Sequence, residues 1–160
     1  AAAGRFAGSL LDWSRRKPPL TDATFDEHAA WAIGEALRTH MPTALYLYDN
    51  VLTAESARAV GELLSSERPR HVRRLNLSGN ELGDGGVAAL LEALSAEAAG
   101  TLIALGLGTN KLSATAATAL ADAVSSGGTL SSLRELRLGG NPLGPDGGKA
   151  LAASLVLGGC

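Results

Sequence analysis

The sequence has few of the residues that build disulfide scaffolds, metal centres and membrane spans. A single cysteine excludes a disulfide framework and a zinc site built on cysteines. Three histidines cannot form a rich metal cluster. No apolar run approaches the roughly 20 residues that cross a bilayer, and the start of the chain lacks the pattern of a signal peptide. We therefore expect an intracellular protein, cytoplasmic rather than nuclear, without a metal site or a membrane span.

Aromatic residues and an excess of positive charge are also scarce. Aromatics make up 4% of the 160 residues, so a core drawn from the 46% of hydrophobic residues has to be mostly aliphatic. The formal charge of −2 argues against a nucleic-acid or membrane-surface binder, because such proteins are normally basic. The length fits one domain. Because the chain does not begin with methionine, we expect it to be a piece of a longer protein.

A repeat of about thirty residues occurs along most of the sequence. Spaced leucines and one asparagine recur in four segments, 42–52, 72–82, 102–112 and 133–143. Their asparagines are 30, 30 and 31 positions apart. They are Asn50, Asn80, Asn110 and Asn141. Because a buried amide needs hydrogen-bond partners, we predict that these side chains bind backbone groups in the turn after each strand.

A helical pattern follows each of these segments. After Leu82, for example, apolar residues recur at Ala89, Leu90, Ala93 and Leu94, in the steps of three and four that mark one helix face. Each unit is therefore predicted to be a strand, a turn and a helix. We expect the strands near 45–47, 75–77, 105–107 and 136–138. Thr53 and Asp84 are predicted helix N-caps.

A fifth, degenerate unit precedes the four. Phe25 occupies the place of the last leucine of the strand motif, and a helical pattern follows it at the same offsets. Thr24 and Glu27 predict a capping box at the start of that helix. Residues 15–23 are predicted to form an edge or capping strand, because their two prolines cannot donate to a ladder.

The motif LxxLxLxxNxL followed by a helix resembles the leucine-rich repeat, over about residues 24–157. The period and the helix GDGGVAALLEAL resemble the ribonuclease-inhibitor-like subclass, which includes Ran GTPase-activating proteins and the C-terminal regions of NOD-like receptors. The resemblance implies an α/β fold: a right-handed solenoid curved like a horseshoe, with parallel strands on the concave face and helices on the convex face. We expect one domain over 1–160, with a degenerate N-terminal cap and four repeats over 1–41, 42–71, 72–101, 102–132 and 133–160.

No catalytic arrangement emerges from the sequence. His28, His40 and His71 fall at different places in the repeats, and Gly106-Leu107-Gly108 lacks the further residues of a phosphate-binding loop. We therefore predict no enzymatic activity, no cofactor and no small-molecule substrate. The basic run 67–74 is interpreted as a solvated connector and not as a nucleic-acid patch.

The predicted contact surface is the concave sheet, where side chains alternate between the core and solvent. Tyrosine and arginine are enriched at interface hot spots. The candidate partner-binding residues are Tyr46, Tyr48, Arg73, Arg74, Asn76 and Arg137. An alternative for the two tyrosines is that they shield the N-terminal edge of the sheet.

The sequence favours binding of a protein partner, because it contains a predicted contact surface and no catalytic arrangement. A GTPase-activating protein resembling the Ran activator and a sensor fragment of a NOD-like receptor stay open as alternatives. The last strand should present an unpaired edge. We therefore expect that the natural protein continues beyond Cys160 or that a partner covers this edge.

Overall fold

The structure is a computed structural model that describes residues 5–7, 9–15, 18–21, 25, 27–66, 71–125 and 127–157. The strands and helices alternate along these residues. Their bounds are β1 Arg5–Ala7, β2 Leu10–Asp12, α1 Glu27–His40, β3 Ala44–Tyr46, α2 Ala54–Ser65, β4 Arg74–Asn76, α3 Gly83–Ala93, α4 Ala96–Thr101, β5 Ala104–Gly106, α5 Ala114–Val124, β6 Glu135–Arg137 and α6 Gly144–Leu157.

The strands form one open sheet in chain order, β1 to β6. The pair β1–β2 is antiparallel, and β2 to β6 form a parallel sheet of five strands. The leucine at the centre of each parallel strand pairs with the leucine of the next strand. These are Leu11, Leu45, Leu75, Leu105 and Leu136. The α/β class with parallel strands that alternate with helices is thus confirmed, and the arrangement is consistent with a leucine-rich-repeat solenoid.

Each of the four predicted strands begins and ends one residue earlier than expected. The backbone pairing nevertheless continues past the assigned ends, since Leu47 N–H donates to Asn76 O at 2.9 Å and Leu77 N–H donates to Gly106 O at 2.8 Å. The difference therefore concerns where a three-residue strand is counted to end, and it changes neither the register nor the face of any side chain.

The core is built from the leucines that all repeats share. Leu45, Leu47 and Leu52 of one repeat are fully buried, and so are the equivalent Leu105, Leu107 and Leu112 two repeats later. One repeat cannot enclose its own leucines, so burial depends on the repeat stacked on each side.

The last repeat is covered on one side only. Its leucines Leu136, Leu138 and Leu143 are partly buried, in contrast to their fully buried counterparts in the preceding repeats. No strand among the described residues pairs with the outer edge of β6, which is the unpaired edge that the sequence predicts. That a further segment or a partner covers this edge stays a prediction.

The repeated asparagines link consecutive repeats. The Asn80 amide nitrogen donates to Leu47 O at 3.0 Å in the preceding repeat and to Leu77 O at 2.8 Å in its own. Its Oδ1 accepts from the Leu52 N–H at 3.1 Å. The other three asparagines make equivalent bonds to the preceding turn, through Asn50 to Leu20, Asn110 to Leu82 and Asn141 to Leu112. We call these four side chains the asparagine ladder.

A left-handed residue precedes every asparagine of the ladder. The φ angles are +53° at Asp49, +68° at Gly79, +52° at Thr109 and +76° at Gly140. Glycine adopts this conformation freely. A Cβ at Gly79 would overlap Asp49 Oδ1. The glycine therefore also leaves room for the aspartate side chain of the preceding repeat.

The N-terminal unit differs from its prediction. The strand expected over 15–23 is wrong: of its described residues only Thr21 makes a bridge, to Val51. The hairpin of β1 and β2 forms the N-terminal end of the sheet instead. Residues 1–14 contain no copy of the repeat motif, yet Leu11 lies beside Leu45 and is buried with it. The predicted capping box of Thr24 and Glu27 lies outside the described residues.

The place of the last leucine in this first unit is divided between two residues. Leu20 N–H donates to Asn50 Oδ1 at 2.9 Å, as Leu52 N–H does to the next asparagine of the ladder. Phe25 precedes α1 by two residues, as Leu52 precedes α2. Leu20 and Phe25 are both buried. In the regular repeats one leucine both donates to the asparagine and precedes the helix. In this first unit Leu20 makes the hydrogen bond and Phe25 precedes the helix.

The two predicted helix caps have different outcomes. Thr53 occupies the N-cap of α2, although its side chain makes no capping hydrogen bond. The prediction for Asp84 is wrong, because α3 already begins at Gly83. Its carboxylate instead accepts hydrogen bonds from the Ser113 N–H, at 2.8 Å, and from the Ser113 hydroxyl. Since Ser113 is the N-cap of α5, Asp84 connects the helices of neighbouring repeats.

These bonds set the ionisation of Asp84. Burial opposes its charge, but hydrogen bonds from the hydroxyl and N–H of Ser113 and from the Ala116 N–H outweigh that effect, so the pKa of Asp84 is lowered from its ordinary value. The folded state therefore favours the charged carboxylate.

We predict that Asn80→Ala and Asn110→Ala each lower the free energy of unfolding by about 1–3 kcal/mol, because their buried backbone partners lose hydrogen bonds. Chemical denaturation measures the loss. Asn76→Ala is the matched control, since its half-exposed side chain accepts a single bond from the Ser78 N–H; it should cost less than about 1 kcal/mol. Unchanged stability in both ladder variants would contradict the structural role of the ladder.

Asp84→Asn should lower the free energy of unfolding at neutral pH by about 0.5–1 kcal/mol, given a solvent-screened site. Because the folded pKa of Asp84 is depressed, its contribution is complete above the unfolded pKa and is lost as the pH falls through the lowered folded pKa. The difference between wild type and variant should therefore shrink on acidification in denaturant titrations. Asp146→Asn is the control, because Asp146 lies in the first turn of α6, is strongly exposed and forms an ion pair with Lys149. A difference independent of pH would contradict this role.

Candidate functional site

The concave face is the side of the sheet turned away from the helices. Strand pairing arranges its outward side chains in two rows. One row contains Tyr46, Asn76, Gly106 and Arg137, each paired with the next across adjacent strands. The other row contains Ala44, Arg74, Ala104 and Glu135. The parallel register thus brings residues that are about thirty positions apart in sequence to neighbouring places on one surface.

The two tyrosines lie against each other on this face. Their ring centroids are 6.1 Å apart and their planes are inclined by 59°, a tilted contact within the range of favourable aromatic pairs. Strands β1 and β2 lie between Tyr46 and the N-terminal edge of the sheet. The two tyrosines therefore do not lie on the edge strand that the alternative interpretation would have them shield.

Arg15 extends the aromatic pair. Its guanidinium carbon lies 5.4 Å from the centroid of the Tyr48 ring, and its Nε donates to Asp49 Oδ2 at 2.9 Å. The hydrogen bond to Asp49 and the charges of Asp49 and Tyr48 raise the pKa of Arg15 above its ordinary value. Sequence reasoning missed this residue, because the contact depends on the position of the N-terminal segment beside β3, which has no repeat match.

A hollow of about 110 Å³ lies in the middle of the concave face. Tyr46, Arg74 and Asn76 line one side of it, and Glu135 and Arg137 line the other. Ala104, Leu105 and Gly106 complete its lining. A Cβ on Gly106 would lie 2.6 Å from Asn76 Oδ1, so a larger residue at this position would displace the Asn76 side chain.

The polar groups around this hollow are mostly donors. Arg74 is exposed and makes no ion pair or hydrogen bond with any residue that the structure describes. Asn76 Oδ1 accepts from the Ser78 N–H at 3.0 Å. The Nε of Arg137 donates to Glu135 Oε1. A ligand that offers oxygen acceptors could therefore satisfy donors that have no partner among the described residues.

The structure brings four of the six predicted contact residues together at the hollow: Tyr46, Arg74, Asn76 and Arg137. Tyr48 adjoins Tyr46. Arg73 is exposed just before β4 but does not line the hollow. Glu135, which was not among the candidates, belongs to the site because it pairs with Arg137. An acidic residue two positions before an arginine on a strand lies on the same face, and that spacing is the signal that could have revealed it.

Of the features set aside in the sequence, Arg74 of the basic run and Gly106 line the hollow, whereas no described histidine does. His40 and His71 are exposed in separate segments, and the side chain of His28 lies outside the described residues. Residues 67–70 of the basic run lie outside them as well. Among the described side chains, no three of His, Cys, Asp and Glu are placed to share a metal ion. No described helix is long and apolar enough to cross a membrane.

Comparison with known families supports the repeat over part of the chain. The family model described as leucine rich repeat matches residues 68–91 and 129–152, which include β4 and β6 and the first part of the helices that follow them. Together with the parallel sheet and the alternating helices, this match supports a leucine-rich repeat protein. No curated protein matches the chain significantly. Leucine-rich repeats are generally non-enzymatic modules for protein interaction.

Proposed function

We propose that this chain binds a protein partner on its concave face and catalyses no reaction. The observation that carries the proposal is the Tyr46–Tyr48 pair beside the hollow, with both rings partly exposed in the interior of the sheet. Tyrosine offers a large contact area with a polar end, and two such rings next to arginine make the composition of an interface hot spot.

The shape of this face also supports protein binding. The hollow is small, and Gly106 and Gly108 leave the area between β4 and β6 low. Small-molecule sites usually enclose several hundred cubic ångströms. A broad, shallow surface with one small depression suits a protein that places a single side chain in the depression.

We also propose that the repeats belong to the ribonuclease-inhibitor-like subclass. The support is the spacing of 30 and 31 residues between asparagines and the full α-helix of eleven or more residues that follows each of β3 to β6. No described side chain favours the GTPase-activating or the receptor-sensor alternative over protein binding.

A photo-crosslinking residue at position 48 identifies the partner, and one at Thr118, which is exposed on α5, is the control position. The protein captured from position 48 is then purified for titrations. We predict that Tyr46→Ala combined with Tyr48→Ala weakens its binding about thirtyfold, corresponding to about 2 kcal/mol. The melting temperature should change little, since both side chains lie outside the buried core.

Trp31→Ala is the matched control, because Trp31 is an aromatic residue 70% exposed on α1. This variant should bind the partner as the wild type does. Loss of binding in Trp31→Ala together with normal binding in the tyrosine variant would move the binding surface to the helices and refute the proposed function.

A further inference from the structure

We propose that the hollow of the concave face recognises a carboxylate, so that the protein bound there presents an acidic segment. The hollow is the one lined by Tyr46, Arg74, Asn76, Glu135 and Arg137 around Gly106. This inference rests on the proposed function and adds to it the chemistry of the partner.

The hydrogen-bonding groups around the hollow favour a ligand that accepts hydrogen bonds. Arg74 has no acidic partner among the described residues. The Asn76 oxygen is occupied by the Ser78 N–H, which leaves its NH₂ group to donate. Arg137 binds Glu135 through Nε, so its terminal nitrogens still carry donors. A carboxylate accepts from several such donors at once, and charge-assisted bonds of this kind are the stronger ones.

The spacing of the strands leaves room for a carboxylate group in the hollow. Asn76, Gly106 and Arg137 stand in one row on three adjacent strands. Strands lie about 4.8 Å apart, so the Cα atoms of Asn76 and Arg137, which are two strands apart, are separated by on the order of 10 Å. Because Gly106 has no side chain, the space between them stays open. Side chains from the two flanking strands can therefore donate to one carboxylate in this space from opposite sides.

The distribution of charge favours an acidic partner on this face. The whole chain has a formal charge of −2. However, Arg74 on the concave face and the adjacent Arg73 lack an ion-pair partner among the described residues. The helices present exposed acidic side chains at Glu55, Glu62, Glu97 and Asp122. An acidic segment is therefore attracted to the strands and repelled from the helices.

A protein fits this surface better than a nucleic acid does. A phosphate backbone needs a continuous series of cationic contacts. On the concave face the acidic Asp49 and Glu135 interrupt the arginines, and each pairs with one of them. Of these two acidic groups, a single carboxylate seated in the hollow meets only Glu135, whose charge is paired with Arg137, whereas an extended chain of phosphates would pass Asp49 as well.

The first test is an NMR titration of the ¹⁵N-labelled chain with a hexaglutamate peptide whose ends are blocked. We expect the peptide to shift the Gly106 amide and the Arg74 Nε–H signals, and a blocked hexaglutamine peptide to leave them unchanged. Decauridine RNA serves as a second ligand. Binding of the RNA more tightly than hexaglutamate at the same salt concentration would overturn the assignment to an acidic protein segment.

The second test compares two adjacent arginines. Arg74→Gln removes a donor from the hollow, and Arg73→Gln removes the same charge one residue away, outside the hollow. We expect Arg74→Gln to weaken hexaglutamate binding about tenfold and Arg73→Gln to weaken it less than about threefold. Arg74→Lys should fall between them, since lysine keeps the charge without the planar fork. Equal losses in the two glutamine variants would mean that a general field, and not the hollow, attracts the peptide.

The same variants are then titrated with the partner captured through position 48. If Tyr46→Ala with Tyr48→Ala weakens that complex and Arg74→Gln does not, the carboxylate assignment is wrong and the proposed function stands. If neither change affects the complex, the proposed function is wrong as well. If both changes weaken it, the hollow and the tyrosines form one binding surface.

Discussion

The buried asparagine amide is the interaction on which the rest of this structure depends. Each amide donates to carbonyl groups of its own turn and of the preceding repeat, and it also accepts an N–H from that repeat, as Asn80 does with Leu77, Leu47 and Leu52. Tight turns at these positions leave backbone groups without partners, and a buried group without a partner is costly. The ladder satisfies those groups and joins each repeat to the one before it, so the leucines behind it become a continuous core.

The fixed register of the repeats in turn produces the candidate site. Because every repeat advances by one strand, Tyr46, Asn76, Gly106 and Arg137 stand in one row although they are far apart in sequence. The leucines between them form the core, whereas the repeat motif leaves the outward positions unspecified. In the two central repeats those positions carry a donor at Asn76 and no side chain at Gly106. The binding properties of this protein therefore depend on the residues that the repeat motif does not specify.

The regular part of the chain could be predicted from sequence because its contacts repeat. The spacing of leucines and asparagines predicted the strands, the helices and the face on which Tyr46 and Tyr48 lie. The N-terminal hairpin could not be predicted, since Leu11 substitutes for a repeat leucine without the surrounding motif. The hydrogen bonds between Ser113 and Asp84 and between Arg15 and Asp49 could not be predicted for a related reason. They join residues whose partners are set by the tertiary structure and not by a period.

Amide hydrogen exchange of Leu52 and Leu82 tests the ladder most directly, because their N–H groups donate to the ladder side chains Asn80 and Asn110. If the ladder holds the repeats together, these amides exchange only through openings whose free energy approaches that of global unfolding. The Leu143 N–H, which bonds within its own turn to Asn141 O, should exchange faster. Exchange of Leu52 and Leu82 as fast as that of Leu143 would contradict the central role of the ladder.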